Sequence, residues 1–355
     1  MKILMVTADG FPHTGGVEKH IHMVSKEMVK LGHKVDVVLL STTKMKPFVK
    51  DGVKYKPFKA LFSNTHLFNI DYVLYVLKNA NKYDIIHFQG LHKPLPVFML
   101  FMLQNKKVGK VFTTHYHGGG HSIIANAAHV VYTPLVSPVL KNLDAVIAVS
   151  GFEKNVLQAS FPEIHERTHV IYNGVESHKC ANEQSKNEGL QILFVSRLER
   201  YKNIQKVLWH IPEGSTVHIV GDGSYRKTLQ EVAFKNPKIN TVFHGKISDS
   251  ELCELWKQSD VYVNMSSKEA YGLTLVEALT HGTPVICSNI PAFVEVKKIT
   301  KSKNIHPIDN LRYLGRLVKR VESKGFVEDN MALPGWSEAA AATVKIYRQI
   351  IGRTK

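Results

Sequence analysis

Short apolar runs alternate with amphipathic segments along most of this chain of 355 residues. The run at residues 3–8 has the length of a buried strand, and apolar residues then recur at helical spacing from Val17 to Leu31. Wholly apolar strands are typical of parallel sheets, because helices cover both faces of such a sheet. The alternation therefore predicts a doubly wound α/β fold whose ligands bind at the carboxyl ends of the strands.

The alternation occurs in two series, which a polar stretch without periodicity at residues 176–189 separates. Predicted strands of the first series lie at 3–8, 35–40, 85–88, 111–114, 145–149 and 170–172. Those of the second series lie at 190–195, 217–220, 241–246, 261–265 and 284–288. Two domains follow, residues 1–180 and residues 189–333, with a final helix over 336–352.

The most informative stretch begins with the predicted strand at 261–265. A polar loop with Glu269 follows, and then a helix that is predicted to begin near Leu273. The first N–H groups of a helix lack partners within it, which favours a phosphate at this position. Glu269, and Glu277 after a gap of seven residues, suit sugar hydroxyls better than phosphate, because like charges repel. The stretch predicts a nucleotide-sugar pocket, and two surface glutamates near an amphipathic helix are the alternative.

Two further groups of residues follow predicted strands. Arg197 and Lys202 come after the strand at 190–195 and form a cationic pair suited to a diphosphate, with ordinary surface charge as the alternative. Gly15 and Gly16 precede the first helix and permit a ligand to approach the backbone closely, with a plain turn as the alternative. They do not form the GxGxxG dinucleotide fingerprint.

His115 also lies at a predicted strand end, within a run that places histidines at 115, 117 and 121. Three histidines at this spacing could bind a metal ion. Carboxylates and thiols are absent nearby in the sequence, and the glycines at 118–120 suit a backbone that passes close to a ligand better than a metal cage.

Taken together, these motifs resemble the retaining glycosyltransferase family 4. The spacing from Glu269 to Glu277, with the Tyr271–Gly272 pair between them, is similar to the family signature. "GGVEKH", "TTHYHG", "SRL" before Lys202 and "GDG" resemble other family motifs, and they occur in the expected order along nearly the whole chain. The chain departs from the family at Ser196, where glycine is usual, and at Pro291–Ala292, which replaces a glycine pair. A late strand of the family is not recognisable in residues 299–309.

The resemblance implies the glycosyltransferase B fold, in which two Rossmann-like domains face each other across a cleft. The donor nucleotide sugar would bind the second domain and the acceptor the first, with the final helix packing back on the first domain. The enzyme would move a hexose from a UDP- or GDP-linked donor with retention of configuration.

The resemblance and the chemistry of each side chain together give the roles. Arg197, Lys202 and the helix start at residues 271–274 (Tyr271, Gly272, Leu273, Thr274) would stabilise the departing diphosphate. The loop at Lys246 would hold the nucleobase, Glu277 the ribose, Glu269 the sugar hydroxyls, and His115 would lie near the sugar. Gly15 and Gly16 would face donor and acceptor.

Neither a cofactor nor a metal ion is expected, because no Asp-x-Asp motif occurs in the sequence. No carboxylate is a clear nucleophile for a double displacement, so front-face attack is the favoured route to retention. A sugar-nucleotide epimerase of the same architecture, or a nucleotide-sugar-binding protein without turnover, are the competing hypotheses.

The net charge of +16 calls for an anionic partner or an explanation. The sequence contains no recognisable nucleic-acid module. Lysines are densest at residues 44–59, where Phe48, Tyr55 and Phe58 lie among them, a mixture that suits the headgroups of an anionic membrane. A solvated basic loop is the alternative. The acceptor is expected to be lipid-linked or a membrane-associated glycan.

No apolar run approaches the ~20 residues that span a bilayer, and the longest, at 95–103, predicts a buried helix. The first residues do not resemble a signal peptide. Cys180, Cys253 and Cys287 are far apart, so neither a disulfide framework nor a zinc site is expected. The default location is the cytoplasm, with peripheral attachment to the inner face of the membrane as a variant.

Overall fold

The computed structural model describes residues 1–8, 15–60, 69–119, 123–176, 189–328, 331–332 and 335–354. Its contacts divide the chain into two compact units, Met1–Gly174 with Pro334–Lys355, and Val175–Leu333. The sequence placed the corresponding boundaries at 1–180 with 336–352, and at 189–333. Most of the predicted linker at 176–189 lies outside the described residues.

The first unit contains an eight-stranded sheet in the order β3-β4-β2-β1-β5-β6-β7-β8, in which only the β3–β4 pair is antiparallel. Its strands are β1 Lys2–Thr7, β2 Lys34–Ser41, β3 Phe48–Lys50, β4 Val53–Lys59, β5 Ile85–Gln89, β6 Gly109–Thr113, β7 Ala145–Ala148 and β8 Thr168–Val170. Its helices are α1 Gly16–Lys30, α2 Ile70–Asn79, α3 Pro94–Met102, α4 Ile123–Leu140 and α5 Gly151–Ser160.

The second unit contains a six-stranded parallel sheet in the order β11-β10-β9-β12-β13-β14. Its strands are β9 Gln191–Val195, β10 Thr216–Val220, β11 Asn240–Gly245, β12 Val261–Asn264, β13 Val285–Ser288 and β14 Ile305–Ile308. Its helices are α6 Ile204–Val207, α7 Arg226–Phe234, α8 Asp249–Gln258, α9 Leu273–Thr280, α10 Pro291–Thr300 and α11 Leu314–Lys324. The predicted fold class of two Rossmann-like α/β domains is confirmed by these two sheets.

The final helix, α12 Trp336–Thr354, belongs to the first unit and packs on α1. Tyr347 on this helix is fully buried and hydrogen-bonds to His87 Nδ1 at 2.5 Å. The apolar spacing along this helix predicts that Ala341, Val344, Tyr347 and Ile351 share one face, which packs on the first unit. That prediction is wrong for Ala341, which is exposed, because the apolar stripe runs through Ala340 and Thr343 instead.

Two other segments differ from the sequence prediction. The lysine-rich stretch at 44–59 includes the paired strands β3 and β4, in which Tyr55 is buried and stacks on Phe48 with ring centroids 4.8 Å apart. The ring of Tyr55 is therefore packed within the unit, whereas Phe48 is half-buried. β14 is the strand that residues 299–309 did not reveal, because His306 and Pro307 interrupt its apolar pattern.

Helix α3 is only partly buried, contrary to the prediction for residues 95–103. Leu95, Met99 and Leu100 lie in the core, whereas Phe98, Phe101 and Met102 are 42, 47 and 42% exposed. Because α3 carries no charged side chain, the exposed part of its surface is apolar.

The cysteines also differ from expectation. Cys253 is disulfide-bonded, so the expectation of no disulfide is wrong for this residue, while Cys287 is a free and buried thiol. Within the described part of the chain, no helix is long and apolar enough to cross a bilayer.

Candidate functional site

The loops that follow β9 and β12 are joined at the carboxyl edge of the second sheet. The Ser267 amide donates to the Tyr201 carbonyl at 3.0 Å, and Asn203 Nδ2 donates to the Met265 carbonyl at 2.9 Å. Asn203 has φ of 56°, a left-handed conformation that asparagine adopts more readily than most residues. Adjacent parallel strands thus bring residues 197–203 beside residues 265–272.

Lys202 and Glu269 form an ion pair across these two loops, although 67 positions separate them in the sequence. Their side chains are 11% and 21% exposed. Burial, the largest single effect, lowers the pKa of Lys202, but the charges of Glu269 and Tyr201 and the hydrogen bond to Glu269 together outweigh it, so the net pKa is raised. Lys202 therefore carries a positive charge throughout the physiological pH range.

Arg197 is exposed on the same loop, and its position is fixed through the backbone. The Leu198 amide donates to the Asp222 carbonyl at 3.0 Å. Gly221 has φ of 119°, and a Cβ atom there would lie 1.9 Å from the Ser196 carbonyl oxygen. The "GDG" turn is thus required for close packing against the loop that carries Arg197.

Helix α9 begins beside the ion pair, at the predicted residue. Gly272 precedes it with φ of 120° and without a side-chain cap, and a Cβ atom at Gly272 would lie 2.9 Å from the ring of Phe293. Thr274 Oγ1 and Tyr262 Oη lie 2.7 Å apart, which fixes the first turn. The amide groups of this turn carry the positive end of the helix dipole.

The remaining predicted donor residues occupy more varied positions. Tyr271 is buried, Leu273 and Glu277 are half-buried on α9, and Lys246 is exposed in the loop between β11 and α8. β11 is the edge strand, two strands away from β9, so the predicted role of Lys246 rests on its position alone.

The predicted residue His115 lies in the first unit, two positions after the end of β6. His115 has φ of 49°, which is uncommon for a residue with a side chain. Its Nε2 lies 3.1 Å from Gln89 Oε1, at the end of the neighbouring β5. Because an amide oxygen only accepts, Nε2 carries the proton and Nδ1 remains an acceptor.

Other buried histidines surround His115. The ring of His20 lies edge-on to His115 with centroids 4.8 Å apart, and His20 Nδ1 donates to Asn173 Oδ1 at 2.6 Å. Burial lowers the pKa of His20 to about 4 and that of His87 to about 3. Burial, and then the neighbouring histidines, lower the pKa of His115 well below its usual value. All three rings are neutral at pH 7.

The predicted glycines lie at the start of α1. Gly15 is its extended N-cap, and Gly16 is its exposed first residue. The rest of the predicted loop, residues 9–14, lies outside the described residues. One helical turn later α1 provides His20, so this end of α1 is directed at the region of His115.

The predicted histidine run is described only in part. His121 lies outside the described residues, and across the described ranges no group of three or more His, Cys, Asp or Glu side chains could hold a metal ion.

Sequence reasoning missed several residues that shape these regions. Gln89, His20 and Asn173 contact or surround His115, and Tyr262 and Asn264 fix the start of α9. A polar residue at the end of an apolar strand was the available signal for Gln89 and Asn264. His20 gave none, because it lies beside the predicted apolar face of α1.

Two family models match consecutive parts of the chain. Glycosyltransferase Family 4 matches residues 14–179, and Glycosyl transferases group 1 matches residues 178–332. The first match covers most of the first unit and the second match covers nearly all of the second.

Known proteins give the same picture. Alpha-monoglucosyldiacylglycerol synthase of Streptococcus pneumoniae is 28% identical over 322 residues, which are 82% of this chain and 72% of that protein. The gpi3 subunit of phosphatidylinositol N-acetylglucosaminyltransferase of Schizosaccharomyces pombe is 25% identical over 98% of this chain and 80% of its own length. The structure of Anabaena HepE in complex with UDP and glucose covers 99% of both chains with a TM-score of 0.69 and 17% identity. The chain is therefore a member of glycosyltransferase family 4, with the glycosyltransferase B fold.

Proposed function

We propose that this protein is a retaining, metal-independent hexosyltransferase that moves a sugar from a UDP-linked donor to a lipid acceptor at an anionic membrane. The observation that carries the proposal is the Lys202–Glu269 ion pair beside Arg197 and the start of α9. It combines cationic groups for a diphosphate with a carboxylate for sugar hydroxyls at one sheet edge.

The ion pair can bind both parts of a donor at once. The Lys202 ammonium has three N–H donors, so it can contact a phosphate oxygen and still hold Glu269. The second oxygen of Glu269 then accepts from a sugar hydroxyl. Arg197 and the first amide groups of α9 add positive charge where the diphosphate departs, which is the work that a divalent cation does in other transferases.

In the proposed reaction, the bond between the anomeric carbon and the phosphate oxygen breaks and its electron pair stays on the diphosphate. The acceptor hydroxyl oxygen forms a bond to the same face of the anomeric carbon. Its proton passes to the departing phosphate oxygen. His115, neutral and with Nδ1 free to accept, orients a hydroxyl group near the reacting carbon. Full transfer in EDTA is expected, and abolished turnover would contradict metal independence.

UDP as the donor nucleotide is supported by the solved relative with UDP and glucose. A lipid acceptor is supported by the names of the two relatives, which refer to diacylglycerol and phosphatidylinositol. Both expectations extend the sequence prediction, which left UDP and GDP open and proposed a lipid-linked or glycan acceptor.

An apolar surface on the first unit suits a membrane. We call it the α2–α4 surface, and its residues are each at least 41% exposed: Ile70, Leu74, Phe98, Phe101, Met102 and Leu135. The three helices pack side by side, and each connects two parallel strands of the sheet. The carboxyl ends of the three helices therefore lie at the same edge of the first unit. Exposed lysines lie in the last turn of α2, at Lys78, and after the ends of the three helices, at Lys82, Lys107 and Lys141. Apolar side chains with a basic margin match an anionic bilayer.

The first test is thermal stabilisation by UDP, GDP and ADP. A ligand at about 100 times its dissociation constant adds ~2.7 kcal/mol to the stability of the folded state. We expect UDP to stabilise the wild type and the exposed-lysine control Lys206→Ala but not Lys202→Ala, which should still bind uridine as the wild type does. Equal weakening of UDP and uridine binding would contradict the phosphate role.

Turnover separates the proposed function from its competitors. Incubation with UDP-sugar and mixed lipid acceptors should give a glycolipid. NMR should show that the new glycosidic bond of this product has the same anomeric configuration as the sugar of the donor. An isomerised sugar nucleotide would instead indicate an epimerase, and neither product a binding protein. Inverted configuration would contradict retention.

Flotation with vesicles of phosphatidylglycerol and phosphatidylcholine tests the membrane surface. The wild type should float at low salt, and Phe98→Ser/Phe101→Ser should not. Phe234→Ser is the matched control, because Phe234 is 88% exposed on the second unit and should be irrelevant. Equal flotation of both variants, or none by the wild type, would exclude this surface.

A further inference from the structure

A buried carboxylate, Glu153, lies behind His115 and contacts the residues on both sides of it. Glu153 Oε1 accepts from Thr114 Oγ1 and from the Tyr116 amide, both at 2.5 Å. Its Oε2 accepts from the Val149 amide at 2.6 Å. The side chain is completely inaccessible to solvent, so it cannot touch a substrate.

The backbone at His115 needs such support. With φ of 49°, His115 adopts a left-handed conformation that is unfavourable for most residues with a Cβ atom. Glycine would relieve the strain but would remove the imidazole. The two hydrogen bonds to Glu153 hold residues 114 and 116 in the positions that this conformation requires.

The position of Glu153 is itself fixed. It lies in the first turn of α5, where its amide donates to the N-cap Ser150 Oγ at 2.9 Å. The positive end of the helix dipole offsets part of the cost of burying a carboxylate there. Burial raises the pKa of Glu153 to about 7, while the hydrogen bonds from Thr114, Tyr116 and Val149 oppose this shift.

We propose that Glu153 is a positioning residue for catalysis, which holds the strained backbone of His115 so that the imidazole faces the reacting sugar. This inference rests on the proposed function of His115. The ring is fixed separately by Gln89, so Glu153 sets the backbone and Gln89 sets the ring tautomer. An amide cannot replace the carboxylate, because its NH₂ group would face a backbone N–H donor.

The main test compares Glu153→Gln with Glu163→Gln, a control carboxylate of the same unit that accepts from Ser137 away from His115. We expect kcat for sugar transfer to fall on the order of 100-fold in Glu153→Gln, as for a small misplacement of a reacting group. The UDP dissociation constant should stay within about twofold, because the proposed nucleotide residues lie in the second unit. A folded Glu153→Gln protein with wild-type kcat would overturn the proposal.

A double-substitution cycle separates positioning from a general structural role. If Glu153 acts through His115, adding Glu153→Gln to His115→Asn should lower kcat no further. Additive losses would contradict the proposal. Should Glu153→Gln fail to fold, Thr114→Val removes only one of the hydrogen bonds and should give a smaller loss with the same non-additivity.

Nitrogen-15 NMR of the histidine rings tests the inference without turnover. We expect the His115 ring signals to shift in Glu153→Gln, while those of the hydrogen-bonded pair His218 and His244 in the second unit stay unchanged. If the wild type transfers no sugar, the proposed function fails but the ring signals still decide this inference. Unmoved His115 signals would overturn it.

Discussion

The two candidate regions solve different electrostatic problems. In the second unit, Arg197, Lys202 and Glu269 are charged, and the buried charges are paired. In the first unit, His20, His87 and His115 are neutral, because burial depresses their pKa values. A departing diphosphate needs positive charge, whereas a ring that orients hydroxyl groups needs a lone pair. The comparison indicates that the protonation state of each region suits its proposed task.

The regions also differ in how they achieve unusual backbone conformations. The second unit uses glycine, at Gly221 and Gly272, where only the backbone has to approach a neighbour. The first unit places the strained conformation on His115, whose side chain is needed, and supports it with hydrogen bonds that residues 114 and 116 donate to Glu153. A site whose side chain acts cannot use glycine, so it needs a supporting residue behind it.

The largest effect is expected from the His115→Asn substitution. Asparagine tolerates the left-handed backbone, so the fold should survive while kcat falls by about 1,000-fold, a typical loss for a group that handles a proton or hydroxyl. Steady-state kinetics and UDP titration measure this. A loss of UDP binding comparable with the loss of kcat would contradict the proposal that the second unit binds the nucleotide while His115 acts on the sugar or acceptor.

The second prediction concerns the neutral histidines. Because their folded pKa values lie below that of an unfolded histidine, their contribution to stability is present above pH 6.5 and is lost as the pH falls. His20 alone, with its pKa lowered to about 4, should reduce the unfolding free energy by about 3 kcal/mol between pH 6.5 and pH 4.

Denaturant unfolding at several pH values measures this loss, with His87→Gln as the comparison. The variant should lose less stability on acidification than the wild type, and an identical loss would contradict neutral burial. The contribution of Glu153 to the unfolding free energy has the opposite pH dependence. Since its pKa is raised to about 7, its contribution is present below about pH 4.5 and is lost as the pH rises through 7.

The smallest effect concerns the paired charges of the second unit. Lys202→Met should lower the unfolding free energy by about 2 kcal/mol, because it leaves the Glu269 carboxylate partly buried without its cation. Adding Glu269→Gln should recover part of that loss. A double variant that is less stable than Lys202→Met would show that the pair does not couple as its geometry indicates.

The sequence predicted most of the fold, because buried parallel strands are apolar without interruption. The sequence did not predict β14, because His306 and Pro307 interrupt its apolar pattern and its register on β13 depends on tertiary contacts. The sequence did not predict the exposure of the α3 aromatic rings, because a helix without charged residues gives no sign of which side faces solvent.

The site residues were predictable where they directly follow predicted strands in the sequence. Arg197, Lys202 and Glu269 follow neighbouring strands, and parallel topology brings such strand ends together. The residues around His115 were not predictable in the same way. Gln89, Asn173 and Glu153 come from three different strand ends or helix starts. Only the three-dimensional structure shows that Gln89 contacts His115, that Glu153 contacts Tyr116 beside it, and that Asn173 contacts the neighbouring His20.

The return of α12 to the first unit has a consequence for synthesis on the ribosome. Residues 1–174 emerge first, yet the Tyr347 hydroxyl that hydrogen-bonds to buried His87 is made only after the second unit. A Cβ atom at Gly174 would lie 2.2 Å from the Trp336 amide nitrogen, so the chain ends of this unit join in a close backbone contact. The second unit can fold before α12 is made, whereas buried His87 of the first unit lacks its hydrogen-bond partner until that helix emerges. A ribosome that stalls before α12 would therefore release a folded second unit beside a first unit without its final helix.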